Sequence, residues 1–475
     1  MRNRLILILL VSWTVRGLFM VLVPAGVRSF DAFSWEHQAE LMAKGGNPYS
    51  TGLFNWPPFW MMMCFGMAKV SAFLGVPFFR ILQLVLISAE SVVISLTYYV
   101  LRNKVGKDLE NKAFWLVLFG LALNPVSILL VCQHCNFDVF MVLWILAFLI
   151  STMNFLAAGD KTDWLLSCLF LGMGILTKTV PLIFGPVLLA GFRRLDWKTR
   201  ILGGCLTIGP VALGVGVIYV MDPADVGKWV LAYRGEGFFF GFPGLMKLFG
   251  LLSLMPIFHF CFYGEGIAVL ALSSVYFWKL RKPLTSELVL YTAFVLLAIP
   301  TVGNGFGGHF FYWFIPLFVI VLGAFWAIKP FRILLITFGI VSAVTFIIEY
   351  GLIGAYGFSF LYLATGAHDP ADLSFKLQSG VSQSVATVIH YHNLIDSEKG
   401  NTLERLPLFL TMLSVLFYSI WLFVRNAAFL ETIKGGMAAP EVSARSQRDR
   451  NAGQVGINAS MSGGAKTLKP GKRNN

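Results

Sequence analysis

Runs of about twenty apolar residues recur along the chain, beginning with LILILLVSWTVRGLFMVLVP at residues 5–24, and each is long enough to cross a bilayer. Inside hydrocarbon only helices and closed barrels satisfy their own backbone groups, and these runs are too long and continuous for barrel strands. The fold class expected is therefore an all-α polytopic membrane protein. Only 13% of the 475 residues are charged, where a soluble protein carries about 25%. The net charge of +13 does not argue for nucleic acid, because lysine and arginine sit in short loops and in the C-terminal stretch, as the positive-inside bias requires.

Loop charge orients about twelve spans. The N-terminus, with Arg2 and Arg4, is placed in the cytoplasm, and the first run, which contains Arg16, is read as a retained helix and not a cleaved signal. Residues 25–77 form an external loop whose PPFWMMMCFGMAKV segment reads as a juxtamembrane helix. Further spans are expected over about 78–101, 113–131, 137–157, 163–177 and 180–193, and one ends near Met221. Beyond an external loop over 222–252, spans resume at about 254–278, flank GNGFGGH, end near Tyr350 and start again at about Leu406. Residues 351–404 read as a second large external loop, 1–430 as one transmembrane domain, and 431–475 as a basic, disordered cytoplasmic tail. No repeat and no Walker, Rossmann or HExxH signature is present.

The polar and aromatic groups gather on the external side. Asp31, just past the first span, is either the N-cap of an amphipathic helix or a general base facing a cleft. CQHCNFD at 132–138 places His134, Asn136 and Asp138 at a helix start, where they cap the helix or face substrate. Its Cys132 and Cys135 form a CxxC without a second ligand pair for zinc. Lys178 joins two short helices, as a snorkelling lysine or as a cation for a lipid-linked phosphate. Arg234 in YRGEGFFFGFPG poses the same choice. Tyr312 and Trp313 follow the glycine loop that carries His309, as interfacial belt residues or as substrate contacts. His390 and His392 form an H-x-H that is a weak metal signal on its own.

In this order the segments resemble the GT-C superfamily of polyprenyl-phosphate-sugar-dependent glycosyltransferases, over about residues 1–430, and most of all bacterial members akin to glycosyltransferase family 87 and mannosyltransferases. The segments that carry the likeness are SFDAFSWEHQAELMAKGGNPYSTGLFNWPPFW, NPVSILLVCQHCNFDVF, GILTKTVPLIFGP, AYRGEGFFFGFPGLMKLF and GFGGHFFYWFIPLF. The resemblance implies a GT-C-like core and transfer of a hexose, mannose foremost, from a polyprenyl-phosphate donor to a lipid-linked or glycan acceptor. Asp31 would be the base of an inverting displacement. Arg234, Lys178 and His309 would hold the donor phosphate, with His309 standing where related enzymes carry glutamine. Trp35, Glu36, Asn47, Tyr49, Trp56, His134, Asn136, Asp138, Tyr233, Tyr312 and Trp313 would line the substrates, with Trp35 or Trp56 stacking on a sugar. Many members carry D-x-D or D-x-E and some bind a divalent metal there. Here the sequence is Asp31-Ala32-Phe33, so the expectation is catalysis without metal or other cofactor. Short loops and the lack of a targeting signal point to a bacterial inner membrane, and loop charge puts both termini in the cytoplasm and the site on the external, periplasmic face. A flippase or other transporter of lipid-linked glycans, which would place ionisable groups such as Arg16, Glu90 and Glu265 inside its spans, and a glycan polymerase are the alternatives.

Overall fold

Helix boundaries follow local chemistry. Ser29 caps α2 (Phe30–Ala43) by accepting the Ala32 N–H at 3.1 Å. Prolines open α3 (Pro58–Leu74) and precede α4 (Phe78–Val100), while α1 (Arg2–Leu22) comes before all three. Asn124 caps α6 (Pro125–Leu129), which follows α5 (Glu110–Val117). α7 (Asp138–Ala158) ends on Gly159 at φ 75°, where a side chain would be strained. Asp160 and Asp196 cap α8 (Lys161–Thr177) and α9 (Trp197–Met221). A short α10 (Pro223–Val226) follows, and later α11 (Phe311–Ala324) and α12 (Lys329–Phe346).

This computed structural model describes residues 2–22, 29–51, 56–105, 110–226 and 311–347, with isolated positions at 273–278, 292 and 410–421. All of these except Trp421 belong to one unit, Met1–Ile420. Among the described residues five helices are long and apolar enough to cross a membrane: Asn3–Leu22, Phe78–Val105, Asp138–Ala158, Trp197–Val220 and Lys329–Phe346. A bent pair of helices passes the same length and hydropathy test when taken together. Asn111–Ala122 and Pro125–His134 meet at 43°, where one straight helix was expected over 113–131. The cause is Asn124-Pro125, since proline cannot donate to the preceding turn. The expected helix over 180–193 is a 3₁₀ stretch, Val180–Leu189, with Pro181 and Pro186 in it. The spans expected near 254–278 and beyond Leu406, the loops 222–252, GNGFGGH and 351–404, and the tail lie mostly or wholly outside the described residues.

The chain runs up and down, so one end of the bundle collects basic groups. Arg4 donates to Asn111 at 2.6 Å, Lys104 to Asn154 at 2.5 Å, and Lys161 to Asp196 at 2.6 Å, all at that end. The other end carries α2, α3 and the starts of α4, α7 and α11. α7 packs on α4 and α8, and α8 packs on α9. The α8–α9 approach is close. A Cβ on Gly172 would lie 2.6 Å from the Thr207 carbonyl oxygen, and Thr207 Oγ1 donates across to the Cys168 carbonyl at 3.2 Å.

The break is held by Arg16 of α1. Its guanidinium grips both oxygens of Glu90 on α4, at 2.5 and 2.8 Å. It also donates to the Ala122 carbonyl at 2.7 Å, to Ser127 Oγ at 2.9 Å and to the Ser12 carbonyl at 3.4 Å. Ser127 in turn donates to Glu90. Arg16 and Glu90 are fully buried.

Two stability outcomes follow. Arg16→Met leaves Glu90 buried and unpaired and is expected to cost about 3–5 kcal/mol in unfolding measured in bicelles. Arg16→Met with Glu90→Leu recovers most of that loss. Gly172→Ala forces α8 from α9 and is expected to cost about 1–3 kcal/mol in the same assay.

Candidate functional site

The non-basic end is organised by residues 130–138. A π-helical turn, Leu130–His134, stops at Cys135, whose φ of 57° is left-handed and is the sole positive value for a non-glycine residue among those described. Such turns are common at functional sites. The Asn136 N–H reaches back to the Leu130 carbonyl at 2.9 Å, and Asn136 Oδ1 accepts the Asp138 N–H at 2.7 Å. Asn136 thus satisfies the first backbone N–H of α7 from just outside the helix, whose N-cap is Phe137. On α4, Gln83 Nε2 donates to the Cys132 carbonyl at 2.5 Å. Cys132 and Cys135 are buried free thiols. Burial pushes the Cys135 thiol well up, which opposes thiolate chemistry there.

This turn delivers His134 to Asp31. His134 Nε2 lies 2.8 Å from Asp31 Oδ2. The imidazole is buried, whereas the Asp31 side chain is 37% exposed. Asp31 does not cap α2. Ser29 does, and Asp31 occupies the first turn, where a negative charge suits the helix dipole. Ser29 also donates through its Oγ to the His134 carbonyl at 2.7 Å, tying the α2 start to the turn.

Next to this pair lies a closed charged box. Lys178, at the joint after α8, donates to Asp138 Oδ1 at 2.7 Å, and Trp313 Nε1 of α11 donates to Asp138 Oδ2 at 2.5 Å. The Lys178 ammonium sits 4.3 Å from the Trp56 ring centre, 4.7 Å from that of Trp313 and 5.5 Å from that of Phe137. Lys178 therefore does not snorkel; it is buried and paired. Burial draws its ammonium below the ordinary lysine value, while Asp138 and then Asp31 act the other way. Trp313 is likewise no belt residue.

The remaining expected residues divide. Trp56 is half-buried against Phe137 and accepts through its carbonyl from the Tyr49 hydroxyl at 3.2 Å. Tyr49 is buried, which pushes its phenol well up. Asn47 hydrogen-bonds Asp222 after α9 and receives the Tyr49 N–H at 3.0 Å, so both residues fasten the first loop. Glu36 is half-buried on α2. Trp35 is not a sugar platform: it is buried edge-on against Trp60 and Phe137, at 5.1 and 5.8 Å. Tyr312 is buried beside Arg16 and Glu90, within the bundle. Arg234, Tyr233, His309, His390 and His392 lie outside the described residues.

Ser29, Gln83 and Phe137 complete the site, although none of them was singled out from the sequence as a site residue. Ser29 was nonetheless legible as a cap, as a serine directly before a helical pattern. Among the described residues no three His, Cys, Asp or Glu side chains converge as a metal cluster would.

The box generates a stability outcome. Lys178→Met strands Asp138 in a buried setting and is expected to cost about 3–5 kcal/mol, whereas Lys178→Met with Asp138→Asn costs clearly less, read from thermal unfolding in detergent.

No protein-family model and no curated protein matches the chain, so the chemistry of the site is read from its own residues.

Proposed function

We propose that the chain is an integral-membrane hexosyltransferase of GT-C type, with about twelve spans, that uses a polyprenyl-phosphate sugar. The observation that carries this reading is Asp31: a part-exposed carboxylate at the edge of an apolar bundle, set against an imidazole and close to a buried ammonium. Basic side chains concentrate at the opposite end, and by the positive-inside rule this supports the proposed setting, a bacterial inner membrane with Asp31 on the periplasmic side and both termini cytoplasmic. A polyprenyl tail in the bilayer brings its sugar to that level.

In this mechanism the acceptor hydroxyl gives its proton to Asp31 as its oxygen attacks the anomeric carbon. The bond from that carbon to the phosphate oxygen breaks, the configuration inverts, and polyprenyl phosphate leaves. Arg234 and His309 are proposed as its direct contacts, and Lys178, already held by Asp138, adds positive field. Trp56 is the proposed sugar platform. Transfer needs no metal in this scheme. Transport is the weaker reading, because the intramembrane charges it would use, Arg16 and Glu90, are joined to each other.

The test is sugar transfer by purified protein in lipid from polyprenyl-phosphate-mannose and polyprenyl-phosphate-glucose, with and without EDTA. Wild-type transfer is expected to survive EDTA, and Asp31→Asn to lose about 10²–10⁴-fold in kcat while folding normally. Full activity of Asp31→Asn removes Asp31 as the base. Absence of transfer or sugar release from every donor and acceptor tried weakens the enzyme reading and favours transport.

A further inference from the structure

We infer that His134 is a positioning residue for Asp31, an inference that rests on reading Asp31 as the base. Four observations converge on it. His134 Nε2 meets Asp31 Oδ2 at 2.8 Å. The imidazole is buried while the carboxylate is part-exposed, so His134 approaches Asp31 from the protein side and acceptor meets Asp31 from the other. The backbone that carries His134 is fixed independently at three points: Ser29 on its own carbonyl, Gln83 on the Cys132 carbonyl, and the left-handed Cys135 after it. Finally, Ser29 both caps α2 and holds His134, so one hydroxyl sets the positions of both members of the pair.

The arrangement makes chemical sense for a base on a short helix at a membrane surface. An aspartate in a first helical turn has two soft side-chain torsions, and a reacting oxygen misplaced by about 1 Å costs about 10²-fold in rate. A hydrogen bond from a buried, rigidly carried ring removes that freedom. Its partner oxygen is Oδ2, which leaves the plane of the carboxylate defined as the acceptor arrives. Among the described residues the charged groups near the pair include Lys178 and Asp138 in the adjoining box and Arg80 on α4 beside Cys135.

The experiment has two arms. The first needs no substrate: ¹⁵N spectra of histidine-labelled protein in detergent, with the His134 signal assigned by its loss in His134→Gln. Asp31→Asn is expected to move the His134 Nε2 resonance, and Ser29→Ala to move it less. The second arm is transfer from polyprenyl-phosphate-mannose. His134→Leu is expected to lower kcat about 10²-fold with KM within about threefold of wild type. His134→Gln, which keeps an N–H donor, is expected to recover to within about tenfold of wild type. In an Asp31→Asn background His134→Leu is expected to cost nothing more, because the group it positions is already gone. Each variant is first checked for monodispersity and unfolding temperature.

A His134 resonance indifferent to Asp31→Asn overturns the inference. So does unchanged kcat in His134→Leu, or a loss that multiplies with that of Asp31→Asn. If wild type transfers no sugar, the proposed function fails, and with it the positioning role; the resonance arm then still decides whether the two side chains are paired.

Discussion

A helix interrupted inside an apolar bundle leaves carbonyls without helical partners, and in this protein the buried Arg16 reaches the one on Ala122. The turn that brings His134 to Asp31 comes directly after that interruption. Without the 43° change of direction after Ala122, the run would continue straight, and the turn that ends at His134 would not lie beside the start of α2. Hydrocarbon offers no other donors. A guanidinium has five N–H groups in a fixed fork, and here each finds an acceptor: two on Glu90, one on Ser127, one on Ala122 and one on Ser12. The neutralising carboxylate comes from α4, so the same group that satisfies the break also fixes α1 and α4 against it.

The site is built on the same logic at its outer edge. Two carboxylates, Asp31 and Asp138, are each matched to a nitrogen group, the His134 imidazole and the Lys178 ammonium, and the two pairs adjoin. They differ in access. Asp138 is wholly buried and bonded through both oxygens, which suits a structural anchor joining α7, α8 and α11. Asp31 is half open. Proximity of an anchored pair to an open one gives the open carboxylate a fixed electrostatic background that solvent does not screen fully.

The spans α1, α4, α7 and α9 were legible because an apolar run of bilayer length leaves few alternatives. The break was not, although Asn124-Pro125 stood in plain view, because apolar residues continue on both sides and length alone treats them as one run. The 3₁₀ stretch was hidden in the same way, with Pro181 and Pro186 inside an otherwise uniform segment. At the site the sequence nominated His134, Asp138, Lys178 and Trp313 separately, each beside a bland alternative. What it lacked was their pairing, since residues 138, 178 and 313 meet only in three dimensions. That absence is also why Lys178 read equally well as snorkelling, and why Trp35 read as a platform: both depend on which face of the local backbone points inward.

The Arg16–Glu90 pair also bears on how the chain is made. The two residues are 74 apart in sequence. During synthesis the first span carries its arginine alone, at a cost near mid-membrane of about 2.5–3.5 kcal/mol on insertion scales. Relief comes only when α4 leaves the ribosome, and the Ala122 carbonyl arrives later still. The expected order of assembly follows from the order of these partners along the chain: α1 pairs with α4 first, and the bent pair of helices then joins a pair that has already formed.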